Sequence, residues 1–130
     1  MLVCEKHGSL RVVQNDKMLD APALTLAVDN FNERGLIGIT LDPNFSSNHY
    51  IYLHYTPKNT PPRVSRFVLY QNVADIGSET VLYEMDPLEV AGVHNGGALV
   101  FDSKGYNICS TFMQNSYLQY SYLYIATGNI

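Results

Sequence analysis

The sequence predicts an all-β fold of short antiparallel strands, on three observations. Apolar and aromatic residues fall in short runs broken by Gly, Pro, Asn and Asp. The best of these runs alternate with a period of two, so that one face of each is apolar. No stretch keeps the 3.6-residue apolar period of an amphipathic helix.

The elements follow in order along the chain. Residues 2–5 (LVCE) are a short strand, and Lys6-His7-Gly8-Ser9 is a turn in which Gly8 is free to take positive φ. Residues 10–14 (LRVVQ) return, so 2–14 reads as a hairpin. Asn15-Asp16-Lys17 is a second turn, and 23–28 (ALTLAV) a further strand. Asp29 to Arg34 is polar; 35–41 (GLIGITL) is a glycine-rich, buried strand that ends at the turn Asp42-Pro43-Asn44. Residues 50–56 (YIYLHYT) are the strongest strand, with Tyr50, Tyr52 and His54 on one face and Ile51, Leu53 and Tyr55 on the other. The prolines of 57–62 (PKNTPP) force a loop. Strands are then expected at 63–70, 80–85, 97–101 and 122–127.

Composition agrees with one packed domain. The 130 residues are 46% hydrophobic and 15% charged, enough apolar surface for a core. The net charge of −4 argues against nucleic acid as a partner, because phosphate contacts need clustered Lys and Arg. No apolar run is long enough for a transmembrane helix, and the first residues lack the pattern of a signal peptide. Cys4 and Cys109 are expected as small hydrophobes, not as a disulfide framework.

An internal repeat organises the strands. GLIGITLDP at 35–43 resembles GGALVFDSK at 96–104, and YIYLHYT at 50–56 resembles YLYIATG at 122–128. The strands before residue 30 fit the same scheme as strands two, three and four of an earlier unit. Units of four short antiparallel strands, recurring at about 50 residues, are the signature of β-propeller blades. The expected fold is therefore a partial β-propeller of about two blades, with residues 1–130 forming a fragment of one propeller domain. One segment breaks the rhythm: Asp102 precedes Leu123 by more than twice the separation of Asp42 from Ile51. The excess is Asn107–Tyr122, which carries no Asp, Glu, Lys or Arg. It reads either as a surface insertion in a hairpin or as non-coding sequence translated from a retained intron.

Chemistry concentrates in His94-Asn95-Gly96-Gly97. Two glycines after a loop histidine let the backbone turn sharply and let a planar ligand approach closely. Histidine suits proton removal near neutral pH, although the same residues also fit a plain turn. Glu33-Arg34-Gly35 is the second candidate, since it precedes the first strand of the complete blade, where propeller loops line the central axis. A solvated Glu33–Arg34 ion pair is the alternative. Asp42, Asn44 and Asn48 supply oxygen at short spacing, but Asp-Pro-Asn is ordinary turn chemistry, and no metal site is assigned.

In order along the chain, MLVCEKHGSLRVV, ERGLIGITLDPNF, YIYLHYT, RVSRF, HNGGAL and YLYIATGN resemble the glucose/sorbosone dehydrogenase family of six-bladed propellers. The resemblance spans nearly the whole chain except 107–122 and implies an N-terminal third of such a domain. It implies that His94 is the base that deprotonates the C1 hydroxyl of an aldose. Glu33, Asn95 and Gly96 would then border the cofactor, pyrroloquinoline quinone (PQQ), which accepts the hydride. It implies calcium bound with the quinone, with most ligands beyond residue 130, an electron acceptor as further partner, and a secreted or periplasmic location. Val93 stands where glucose-oxidising members have an aspartate before the histidine, and Glu33 where they have a glutamine. A non-enzymatic interaction propeller, as in the hedgehog-interacting proteins, is the alternative function.

Overall fold

The computed structural model describes residues 1–87, 96–101 and 124–125. Leu2–Cys4 (β1) pairs antiparallel with Ser9–Gln14 (β2), with Cys4 opposite Leu10. Asn15 and Asp16 both take positive φ, 51° and 60°, a two-residue turn whose twist matches that of the strands it joins. It returns the chain as Lys17–Met18 (β3) along β2. Leu24–Thr25 (β4) resumes the pairing with β2, opposite Ser9 and Leu10. The strand expected at 23–28 is thus shorter, supplemented by a bridge from Val28 to Pro57.

The second sheet is a complete meander of Leu36–Leu41 (β5), Tyr50–Tyr55 (β6), Arg63–Tyr70 (β7) and Val73–Glu84 (β8), each pairing with the next. Between β5 and β6 lies one helical turn, Phe45–Asn48 (α1), which the sequence pattern did not announce. Asp42 Oδ1 accepts from the Asn44 N–H at 2.8 Å to start it, and His49 in the left-handed region (φ 58°) ends it. β8 begins at Val73, well before the strand expected at 80–85. Gln71 at φ 55° turns the chain directly after β7, and two register shifts between β7 and β8 accommodate the early start. Leu99–Val100 (β9) and Tyr124–Ile125 (β10) pair antiparallel, the first pair of a third unit. Asn107–Tyr122 lies outside the described residues.

The alternation read from YIYLHYT decides the packing. Ile51, Leu53 and Tyr55 face one way and join Phe67 and Leu69 of β7 against Leu10, Val12, Leu24, Leu26 and Val28 of the first sheet. Tyr52 faces the other way and packs with Val64 and Leu99. The middle strands β6 and β7 are therefore covered on both sides, as those of a blade inside a propeller are, while the outer strand β8 is largely exposed. Cys4 packs half-buried against the first of these cores, and burial pushes its thiol up to about 11, as expected of a structural cysteine.

Candidate functional site

The site is built where the innermost strands of two successive units begin. Gly35 enters β5 at φ 127°, and a side chain there would meet the Lys6 carbonyl oxygen at 2.1 Å. Leu36 N–H donates to that same oxygen at 3.1 Å, so the head of β5 is bound to the first sheet. The turn before it carries Glu33, which is exposed to solvent. Arg34 N–H donates to the Phe31 carbonyl at 3.0 Å, and the Arg34 guanidinium reaches Asp29 at 2.7 Å. The hydrogen bond from Arg34, then that from the Phe31 N–H, hold the Asp29 carboxyl below the usual carboxylate range.

Gly96 and Gly97 enter β9 at φ 68° and 141°. Gly96 is exposed and Gly97 buried. The Gly97 carbonyl oxygen stands 1.8 Å from the point a Cβ on Gly38 would occupy, so the two backbones meet only because Gly38 has no side chain. A Cβ on Gly97 would in turn come within 3.0 Å of the Ile37 carbonyl oxygen. The fold thus brings the turn bearing Glu33 and the glycines of the second motif to adjacent strand heads. His94 and Asn95 lie outside the described residues.

Behind this junction His54 of β6 and Thr56, just after it, are buried polar residues. His54 and Thr56 are 0% and 2% exposed, and neither ring nitrogen of His54 nor the Thr56 hydroxyl has a hydrogen-bond partner among the described residues. Burial pushes the imidazole down to about 4, so it is neutral at neutral pH. The sequence placed His54 on a strand face without marking it as functional. The available signal was a histidine inside an otherwise apolar and aromatic run.

Asp42 stands at the other end of β5 and is fully engaged in holding its turn. Oδ1 accepts from Asn48 Nδ2 at 2.8 Å as well as from Asn44 N–H, and Oδ2 accepts from the Tyr52 hydroxyl at 2.6 Å. Burial acts to raise the Asp42 pKa, but these hydrogen bonds outweigh it and hold the carboxyl low. A third polar group lies across β6, β7 and β8. Arg63 donates to the Tyr55 hydroxyl at 2.8 and 3.0 Å, Tyr55 donates to Glu79, and Ser65 donates to Glu79 at 2.7 Å. Its members satisfy one another, as a cross-strand clamp does.

A blade-by-blade β fold with a glycine junction between innermost strands defines a partial β-propeller, and the chain belongs to the glucose/sorbosone dehydrogenase family, whose profile matches residues 1–116. Among curated relatives it is similar to the aldose sugar dehydrogenase YliI of Escherichia coli K12, 34% identical over 112 residues, which cover 82% of this chain and 30% of the relative. Among solved structures it is similar to an oxidoreductase described as a glucose dehydrogenase from Thermus thermophilus. That match has a TM-score of 0.76 at 22% identity, over 98% of this chain and 33% of the other. It also resembles the PQQ-bound aldose sugar dehydrogenase of Streptomyces coelicolor, with a TM-score of 0.64 at 22% identity over 79% of this chain and 31% of that one. The chain spans about a third of the length of these relatives.

Proposed function

We propose that the chain is one arc of a PQQ-dependent aldose dehydrogenase propeller, in which His94 is the general base at the C1 hydroxyl. Family membership, together with the sequence HNGG, whose two glycines lead into β9, is the observation that carries this reading. The chain's own chemistry fits the cofactor. Gly96 is exposed with a left-handed backbone and no side chain, a surface against which a flat tricyclic quinone can lie. When bound, the quinone supplies the hydride acceptor. Asn95 and Gly96 would border it, His94 would take the hydroxyl proton, and Glu33 would offer acceptors to sugar hydroxyls from the neighbouring strand head. A charged Glu33 and an apolar Val93 alter the sugar's surroundings relative to glucose-oxidising members, so the reading is aldose oxidation without a commitment to glucose. Calcium, the electron acceptor and a location outside the cytoplasm follow from the family resemblance. Among the described residues, no helix is long and apolar enough to cross a membrane.

The test is dye-linked oxidation by the full-length protein that carries this segment, loaded with PQQ and calcium and offered a panel of aldoses. Oxidation of at least one aldose is expected. Val93 keeps a second reading alive, a propeller that binds protein without catalysis. A loaded protein that oxidises no aldose would establish that reading instead.

A further inference from the structure

We propose that His54 is a positioning residue for this site: its buried imidazole donates a hydrogen bond to the main-chain carbonyl of the Gly96–Gly97 turn and fixes the height of that turn above β5 when the site is occupied. The inference rests on the aldose dehydrogenase reading above and goes beyond it in naming a residue outside both motifs.

The geometry places His54 under the junction. It sits opposite Gly38 in the β5–β6 register. The point where a Cβ of Gly38 would stand lies 3.2 Å from the His54 Cβ and 1.8 Å from the Gly97 oxygen. The His54 Cβ, from which the imidazole extends, and the Gly97 carbonyl therefore flank the same empty position. The neutral ring has one N–H to give, and an amide carbonyl is the group it would give it to.

Burying an imidazole with neither nitrogen partnered costs about 1–3 kcal/mol, and a leucine or phenylalanine would fill the same volume without that cost. The fold itself does not demand histidine here. In the repeat, the matching position is Glu5 in the earlier unit and Ala126 in the later one. Glu5 is partly exposed and lies 3.2 Å from His7. Histidine occupies this place only in the unit whose β5 meets the Gly96–Gly97 turn. A polar group kept at a cost beside a candidate site, where the repeat tolerates others, is kept for what it holds.

The full-length protein, compared with His54→Phe and His54→Gln, tests this. For His54→Phe we expect kcat to fall about 10- to 100-fold with KM changed less than about 3-fold, the size of effect a displaced reacting loop produces. Its melting temperature should be unchanged or higher. His54→Gln, which keeps a donor, should recover most of the lost kcat. Imidazole ¹⁵N signals of His54 in the wild-type protein give a readout independent of turnover and of variant folding. One ring N–H should take on a hydrogen-bonded shift when PQQ and a sugar are added. A folded His54→Phe with full kcat, or His54 signals indifferent to PQQ and sugar, overturns the proposal while the dehydrogenase reading stands. A wild-type protein that oxidises no aldose removes the basis of both.

Discussion

The two faces of the central sheet are built to different standards. The face toward the first sheet is dry and apolar: Ile51, Leu53, Phe67 and Leu69 interlock with Leu10, Leu24 and Leu26, and most of these side chains are fully buried. The face toward β9 is mixed. It carries Tyr52, whose hydroxyl is tied to Asp42, and His54, whose nitrogens find no partner among the described residues. Both faces are buried along β6, so exposure does not separate them there. Proximity to the glycine junction does, since that is where β5 and the Gly96–Gly97 turn meet. One interface of the blade holds the arc together, and the other accepts a cost in packing next to the candidate site.

This contrast can be broken by substitution in the full-length protein. Phe67→Ala empties the dry face and should cost about 3–5 kcal/mol, read as a lowered midpoint in denaturant unfolding. A change below about 1 kcal/mol would mean that this face is not the structural one. Gly38→Ala drives a methyl group into the Gly97 carbonyl, at a cost of about 1–3 kcal/mol from overpacking. Its loss of turnover should exceed what that loss of stability explains, because it separates β5 from the turn. Equal and small losses in both would put the junction outside the site.

Acid should also find the mixed face first. The folded pKa of His54, about 4, lies below the imidazole's unfolded value of about 6.5. Between those values the unfolded chain binds a proton that the folded chain refuses. The stability tied to neutral His54 is therefore complete above about pH 6.5 and is lost as pH falls toward 4, by up to about 3 kcal/mol. Denaturant midpoints between pH 7 and 4.5 should show this slope, and His54→Phe should flatten it. An unchanged slope in that variant would assign the acid sensitivity elsewhere. The smallest effect belongs to Tyr52→Phe. It removes one hydrogen bond to Asp42 and should cost about 1 kcal/mol in the same unfolding assay, without changing KM.

What was legible in the sequence followed the strength of the local signal. YIYLHYT announced both its strand and its two faces, because β-branched and aromatic residues alternate without a break. The repeat of glycines and Asp at 35–43 and 96–104 announced the blade order and the two innermost strands. β8 was half hidden. Its first half, VADIGS, is largely exposed on an outer strand, so no apolar period marks it, and its start is set by the Gln71 turn instead. The single turn of α1 is too short to carry a period and is held by Asp42, which reads as a turn residue. Of the candidate site, Glu33 stood out through its place before the first strand of the complete blade, and Gly96 through the paired glycines after a loop histidine. His54 did not, since the contact between Gly38 and Gly97 beside it joins residues distant in sequence.

The central proposal is that His94 of HNGG, the motif whose glycines lead into β9, is the base of a sugar-oxidising site, and one substitution tests it most directly. In the full-length, PQQ-loaded protein, His94→Ala should lower kcat for the best aldose by about 10²- to 10⁴-fold, the range for loss of a general base. Quinone affinity should change far less, because the resemblance assigns most cofactor contacts to segments beyond residue 130. A loaded His94→Ala protein that turns over its aldose at the wild-type rate would contradict the claim.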